Sequence, residues 1–418
     1  MERSLRVLDG GIVVLDGKKG VEAQTETVWR QANKYKVPRL IFINKMDGVE
    51  NNEKFAENLK SIEEKLYTVP LVAQFPIGAG RELEGVIDVV GQKAYYFQMG
   101  DEDENYQEKE IPPYLVERTK KYRQELLEKI EKIIERDEEL SLKYLEGQEL
   151  STEEVKKLLR QATLTGKYFP VFCGSAYKHI GVNLVLDGVV DYLPSPLDIP
   201  PIPVFSLSEK NEPEKEQKNI MIIKEEIAEL EKSLNNLNLS LSNQTIEKRT
   251  DQALQVVKFE MEEKLIELKK QLQKAEENQV TCNSPLPCLA LAFKIIFDDY
   301  NRRVTFVRVY AGKISAGSRV YNVNQKIEET VSSLVRMHAD SKEKINEVGA
   351  GDIAAIIGLK YTITGDTFGE EKKPLLLESI SFAEPVISQA IEPKTNKDQS
   401  KLRDALERLK IQDPSFRH

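Results

Sequence analysis

The sequence predicts an α/β chain in three parts: a parallel-sheet domain with a helical insert, a β-barrel domain carrying a coiled-coil-like insertion, and the start of an α+β domain. Three observations predict it. Short β-branched runs alternate with helical stretches as far as about residue 205. Apolar residues recur at steps of three and four between about 214 and 280. From Pro285 to about Phe368, short β runs are punctuated by glycine.

In the first part, Gly11-Ile12-Val13-Val14-Leu15-Asp16 reads as one buried strand, Thr25 to Tyr35 as a helix, and Arg39-Leu40-Ile41-Phe42-Ile43-Asn44 as a second buried strand. Phe169 to Cys173 is a third. A helix from about Val182 to Tyr192 ends at Leu193-Pro194-Ser195-Pro196, where two prolines stop helical geometry. An insert of about 68–168 separates the second and third strands. It holds some strand around Gly85 to Phe97 and a charged helix from Leu115 to Arg136, with an apolar stripe at Tyr122, Leu126, Ile130, Ile133 and Ile134. Ser151 and Glu154 have the spacing of a capping box for a helix from Thr152 to about Gln161.

The second part is expected over 206–372. Within it, Ile220, Ile223, Ile227, Leu230, Leu234, Leu237 and Leu241 make a heptad stripe, and Leu254, Val257, Met261, Leu265, Leu268 and Leu272 make another. An antiparallel helical hairpin over about 214–280 is the expectation; a long solvated spacer is the alternative, since Asn235, Asn236, Asn238 and Asn243 are poor helix formers. The barrel strands are expected at Leu289 to Phe297, Val304 to Tyr310, Ser318 to Asn322, Thr330 to Met337 and Asp352 to Ile357. The third part, 383–418, reads as a strand from Pro385 to Pro393 and an amphipathic helix from Asp398 to Leu409.

Composition narrows the chemistry. The apolar runs are about five residues long, far below the roughly twenty that span a bilayer, so no membrane partner is expected. Cys173, Cys282 and Cys288 form no CxxC pair and no zinc spacing, so no metal site is expected and the three read as structural. Three histidines leave little for a Ser-His-Asp system, and no catalytic residue is assigned. A net charge of -9 argues against a protein that coats nucleic acid non-specifically, while local basic patches remain open.

Asn44-Lys45-Met46-Asp47 follows directly on an apolar strand, which places it at the strand's C-terminal edge, where open α/β sheets bind ligands. The residue types fit guanine. The Asp47 carboxylate can accept from both N1–H and the 2-amino group, and Asn44 can reach O6 and N7 or tie loops together. Adenine would leave Asp47 unpaired, at about 1–3 kcal/mol or more. A polar turn is the alternative from that string alone. Cys173-Gly174-Ser175-Ala176-Tyr177-Lys178 follows another buried strand. There the Ala176 N–H could approach a base carbonyl, Ser175 could bond Asp47, and the Lys178 stem could pack over the ring opposite that of Lys45. Two such loops on one sheet point to a base site.

Together with Glu2 to Gly10, Gly20 to Ala32, Asp191 to Pro196, Gly351-Asp352-Ile353-Ala354 and Gly365-Asp366-Thr367, these segments are similar to elongation factor G in the family's own order, over about 350 residues. The resemblance implies a GTPase-type fold for the first part, an incomplete one, GTP or GDP as ligand, and the ribosome as partner, with the barrel domain leaning on ribosomal RNA. Magnesium is implied only for a complete factor. Translocation is the family activity expected first, with ribosome recycling by a close relative as the alternative. The heptad segment has no counterpart in the usual family pattern and could take a protein partner.

No GxxxxGK[ST] string occurs in the 418 residues, and no Asp-x-x-Gly-His segment precedes Glu2. The resemblance therefore implies a fragment that keeps the base-reading side and lacks the phosphate-handling side. A split gene product, a non-hydrolysing binding remnant and an incomplete gene model are all open at this point. A cytoplasmic location is expected, with mitochondrion or plastid as alternatives should a transit peptide have been lost. The same reading expects the edge of the Gly11 to Leu15 strand to be exposed.

Overall fold

The computed structural model describes residues 2–97, 106–206, 223, 226–227, 229–234, 258–259, 261–270, 279–298, 300–338, 341–377, 388–393, 398–413 and 415–417. The chain forms two compact units, Met1–Asp198 and Ile199–His418.

The first unit runs α1 (Glu2–Leu5), β1 (Gly11–Asp16), α2 (Ala23–Lys34), β2 (Arg39–Asn44), α3 (Glu53–Leu66), β3 (Val69–Val72), β4 (Gln74–Ile77), β5 (Gly85–Asp88), β6 (Lys93–Phe97), β7 (Tyr106–Lys109), α4 (Pro113–Lys129), α5 (Glu131–Ile134), α6 (Glu138–Leu145), α7 (Thr152–Leu164), β8 (Tyr168–Cys173) and α8 (Val182–Tyr192). Four strands make a parallel sheet in the order β1-β2-β8-β3. The strands β4 to β7 make a separate antiparallel sheet. By position β3 belongs to the expected insert, yet it completes the far edge of the parallel sheet, because Val69 to Val72 pair in register with Tyr168 to Val171.

The apolar character of β2 follows from burial on both faces. Alternation sends Leu40 and Phe42 into one core with Phe172, Leu158 and Val185, and Ile41 and Ile43 into another with Trp29, Phe55, Ile62 and Val171. On α7 the capping box forms as its spacing predicts: Ser151 Oγ accepts from the Glu154 N–H at 3.3 Å and Glu154 Oε2 from the Ser151 N–H at 2.8 Å. The single helix expected from Leu115 to Arg136 is instead two, α4 and α5, joined at Ile130 (φ -104°, ψ 14°). The bend directs Ile130, Ile133 and Ile134 into the core shared with Val155, Leu158 and Leu159.

The second unit contains β9 (Ile202–Ser206), β10 (Gln279–Val280), β11 (Cys288–Phe297), β12 (Arg303–Ser315), β13 (Arg319–Asn322), β14 (Ile327–Thr330), β15 (Ser333–His338), β16 (Ser341–Ile345), β17 (Glu347–Gly349), β18 (Ile353–Ile357), β19 (Thr367–Gly369), β20 (Leu375–Leu377) and α9 (Gln399–Gln412). The expected barrel is an antiparallel β domain: nine strands in one sheet around a core that includes Ala290, Val307, Leu334, Ile356 and Phe368. The one strand expected from Thr330 to Met337 is divided, with β14 ending at Thr330 and β15 starting at Ser333. Of the strand expected at Pro385 to Pro393, residues 388–393 carry no regular structure and 385–387 lie outside the described residues.

Most of the heptad segment also lies outside the described residues. Within it, residues 229–234 and 261–270 are helical, Ile227, Leu234 and Leu268 are buried, and Lys269 Nζ lies 2.9 Å from a Glu231 carboxylate oxygen.

Candidate functional site

The strands β1, β2 and β8 end side by side, with Asp16 in register with Asn44 and Ile43 in register with Cys173. The chain leaving β2 turns sharply. Lys45 takes a left-handed conformation (φ 61°), and Met46–Gly48 make one short 3-10 turn closed by the Gly48 N–H to the Lys45 carbonyl at 3.0 Å. Met46 is fully buried, which pins the turn to the core and leaves Lys45 and Asp47 on its outer side.

The loop after β8 is tied to this turn at three points. The Gly174 N–H donates to the Ile43 carbonyl at 3.0 Å, the Met46 N–H donates to the Gly174 carbonyl at 3.0 Å, and the Ala176 N–H donates to Asn44 Oδ1 at 2.8 Å. Asn44 Oδ1 also accepts from the Lys45 N–H at 2.7 Å. The loop closes on itself through reciprocal bonds between Ser175 and Ile180, at 3.0 and 2.9 Å. A Cβ at Gly174 would lie 2.1 Å from the Ile180 carbonyl oxygen, so this closure requires glycine.

Asn44, Lys45, Asp47, Ser175, Ala176 and Lys178 are thus gathered on two adjoining loops. Two details differ from the sequence expectation. The Ala176 N–H, expected to meet a base carbonyl, is given to Asn44 Oδ1. The Ser175 hydroxyl, expected to meet Asp47, is fully buried and accepts from the Lys178 N–H at 3.2 Å; among the described residues no bond joins it to Asp47. A buried hydroxyl satisfied by its own loop fixes backbone shape and is not itself presented to a ligand.

Sequence reasoning missed two residues that complete this edge. Asp16 Oδ2 pairs with Lys45 Nζ at 2.7 Å, and its Oδ1 accepts from the Lys18 N–H at 2.9 Å. The hydrogen bond from Lys45 holds the Asp16 carboxyl below its ordinary pKa and in turn raises that of Lys45. Asn58 on α3 is buried and donates to the Gly17 and Lys54 carbonyls, both at 2.8 Å, fixing the chain just beyond Asp16. The available signal for Asp16 was its place at the C-terminal end of a parallel strand; nothing local marked Asn58. The buried Cys173 thiol, pushed up by desolvation, has no part in this edge chemistry. Among the described residues no cluster of three or more His, Cys, Asp or Glu side chains could hold a metal ion, and no helix is long and apolar enough to cross a membrane.

Comparisons with known proteins bear on this arrangement. Residues 1–195 match the Elongation factor Tu GTP binding domain, residues 302–369 match Elongation factor Tu domain 2, and residues 382–418 match Elongation Factor G, domain III. Elongation factor G of Mycoplasma genitalium is 40% identical over 417 residues, that of Mycoplasma pneumoniae 38% over 417, and that of Ureaplasma urealyticum serovar 10 38% over 418. Each comparison takes in 100% of this chain and 50% of the relative, so the chain spans about half the length of the curated relatives it matches. A crystal structure from Thermus thermophilus shares the fold with a TM-score of 0.66 at 22% identity, over 99% of this chain and 48% of that one.

Proposed function

From its membership of the elongation factor G family, which matches from end to end establish, we propose that this chain carries the base-reading side of a guanine-nucleotide site. The factor it represents acts on the ribosome, in the cytoplasm, in the translocation step of protein synthesis. The observation that supports the site most directly is the double acceptance at Asn44 Oδ1, from Lys45 and Ala176. With that oxygen occupied twice, what Asn44 offers a ligand is its Nδ2 donor pair, which suits the O6 and N7 acceptors of guanine.

Asp47, on the outer side of the turn, is the acceptor for N1–H and the 2-amino group. Ala176 acts through Asn44, Ser175 through the shape of its loop, and the stems of Lys45 and Lys178 flank the ring. Lys45 is tethered for this by Asp16. The antiparallel β domain is the surface for ribosomal RNA, and the heptad segment is able to take a protein partner. GTP and GDP are the ligands. Base contacts alone are expected to hold the nucleotide at roughly millimolar affinity.

The test is saturation-transfer NMR of the 418-residue chain with GDP, XDP and ADP. GDP is expected to receive saturation and ADP to receive little. In Asp47→Asn the preference should pass from GDP to XDP, because the amide donates to the oxygen that replaces the 2-amino group. Equal transfer to GDP and ADP, or an unchanged base preference in the variant, would remove Asp47 and the loop pair from this role.

A further inference from the structure

The chain leaves the first unit through a segment rich in proline, with Pro194, Pro196, Pro200, Pro201 and Pro203 between α8 and the middle of β9. Each proline fixes φ and removes an N–H, so the segment is stiff. A stiff segment carries onward whatever heading its root is given. That root is a turn at 195–198, where the first unit ends. The turn is closed by its own groups: the Asp198 N–H donates to the Ser195 carbonyl at 3.0 Å, the Ser195 N–H to Asp198 Oδ2 at 2.7 Å, and the Leu197 N–H to Ser195 Oγ at 3.3 Å.

Arg160 on α7 fastens this turn to the helix before it. Its Nη1 donates to the Val190, Asp191 and Leu193 carbonyls at 3.4, 3.2 and 2.8 Å, at the C-terminal end of α8, and its Nη2 donates to Asp198 Oδ2 at 2.7 Å. A guanidinium presents its donors in one rigid plane and serves both groups at once, which a lysine ammonium cannot. The Ser195 N–H and hydroxyl, with Arg160 adding less, hold the Asp198 carboxyl below the ordinary carboxylate range, so the pair is ionic at neutral pH. Its side chains are about one-third exposed, so the pair contributes little stability, and its effect is directional. The helix it stands on is itself fixed, with Val155, Leu158 and Leu159 in the core beside Ile133 and Ile134.

We propose that Arg160 and Asp198 form a latch through which the helices ahead of β8 set the root and heading of the linker to the second unit, so that a displacement of α7 is passed to the linker. Plain capping of α8 is the competing account, and Lys156 separates the two. One turn earlier on α7, it pairs with Asp191 at 3.0 Å and so holds α8 without reaching the turn.

The test is hydrogen-exchange mass spectrometry of the 418-residue chain, with small-angle X-ray scattering of the same samples. In Arg160→Lys, which keeps the charge and loses the fork, exchange over 193–199 should accelerate at least tenfold while α7 stays protected, and the radius of gyration should rise as the linker takes up a range of headings. Asp198→Ala changes the turn and leaves α7 and α8 intact, so it keeps the test open should the Arg160 variant fold poorly. It should give the same two results, and the double variant should go no further than either single one, because one contact is being removed twice. Lys156→Met should leave exchange over 193–199 unchanged. Unaltered exchange in Asp198→Ala, additive effects in the double variant, or equal acceleration in Lys156→Met would each overturn the latch. Faster exchange with an unchanged scattering curve would overturn it too, since the turn would then loosen without redirecting the linker.

Discussion

The strands β1 and β2 are the same length, lie side by side in one parallel sheet and are made of the same kinds of residue, yet one is enclosed and the other is not. Five of the six residues of β2 are buried, whereas β1 has one, Leu15. What separates them, among the described residues, is the number of neighbours: β2 has β1 on one side and β8 on the other, while β1 has β2 alone. An apolar run therefore reports the capacity to be buried, and the count of flanking strands decides whether that capacity is used.

The largest expected effect sharpens this difference. Ile43, fully buried in β2 among Trp29, Phe55 and Val171, leaves a cavity when cut to alanine, and Ile43→Ala should destabilise the first unit by about 2–5 kcal/mol. Val14→Ala, on the exposed side of β1, should change stability by no more than about 0.5 kcal/mol. Urea unfolding of the full chain followed through Trp29 checks both. Similar losses for the two variants would mean that β1 is enclosed in solution by something that covers Val14.

A middle-sized effect is expected where the two loops meet. In Asn44→Ala the Lys45 and Ala176 N–H groups lose their shared acceptor. Both lie at a solvated edge where water can replace it, so the cost should be about 1–2 kcal/mol, less than that of the Ile43 cavity. Amide exchange at Ala176 should accelerate at least tenfold while exchange within β2 stays slow. Uniform acceleration across β2 would show that Asn44 supports the strand itself rather than the tie between loops.

How much of this was legible beforehand differs in the same way. The strands Gly11 to Asp16 and Arg39 to Asn44 could be read residue by residue, because an apolar run bounded by polar turns has few alternatives. The gathering of Asn44 and Ala176 was readable in outline from two polar loops after two parallel strands. Which donor serves which acceptor was not readable, because a single N–H can be given to a base or to a neighbouring side chain, and only the 2.8 Å approach of Ala176 to Asn44 decides. The partner of Lys45 was hidden by 29 positions of sequence separation. The strand β3 was missed since Val69-Pro70-Leu71-Val72 is short and contains a proline, which the sheet accommodates at its outer edge.

The smallest effect concerns how β1 is held despite its open side. Its C-terminal end is fastened to the turn after β2 by the Asp16 and Lys45 pair, which is solvated at Lys45 and therefore weak. The hydrogen bond from Lys45 keeps the Asp16 carboxyl below its ordinary value in the folded chain; desolvation opposes it less strongly, and the Lys18 N–H adds a smaller lowering. For a carboxyl depressed by folding, the stabilisation is present above the unfolded pKa and disappears as pH falls through the folded one. In Lys45→Met, Asp16 should titrate closer to the ordinary carboxylate range, and the acid side of the stability profile should flatten slightly, with stability near neutral pH little changed. Carbon-13 NMR of the Asp16 carboxyl in both proteins measures this directly. An identical titration with and without Lys45 would mean that the turn backbone alone sets Asp16, and that β1 is fastened by its hydrogen bonds to β2 and not by the ion pair.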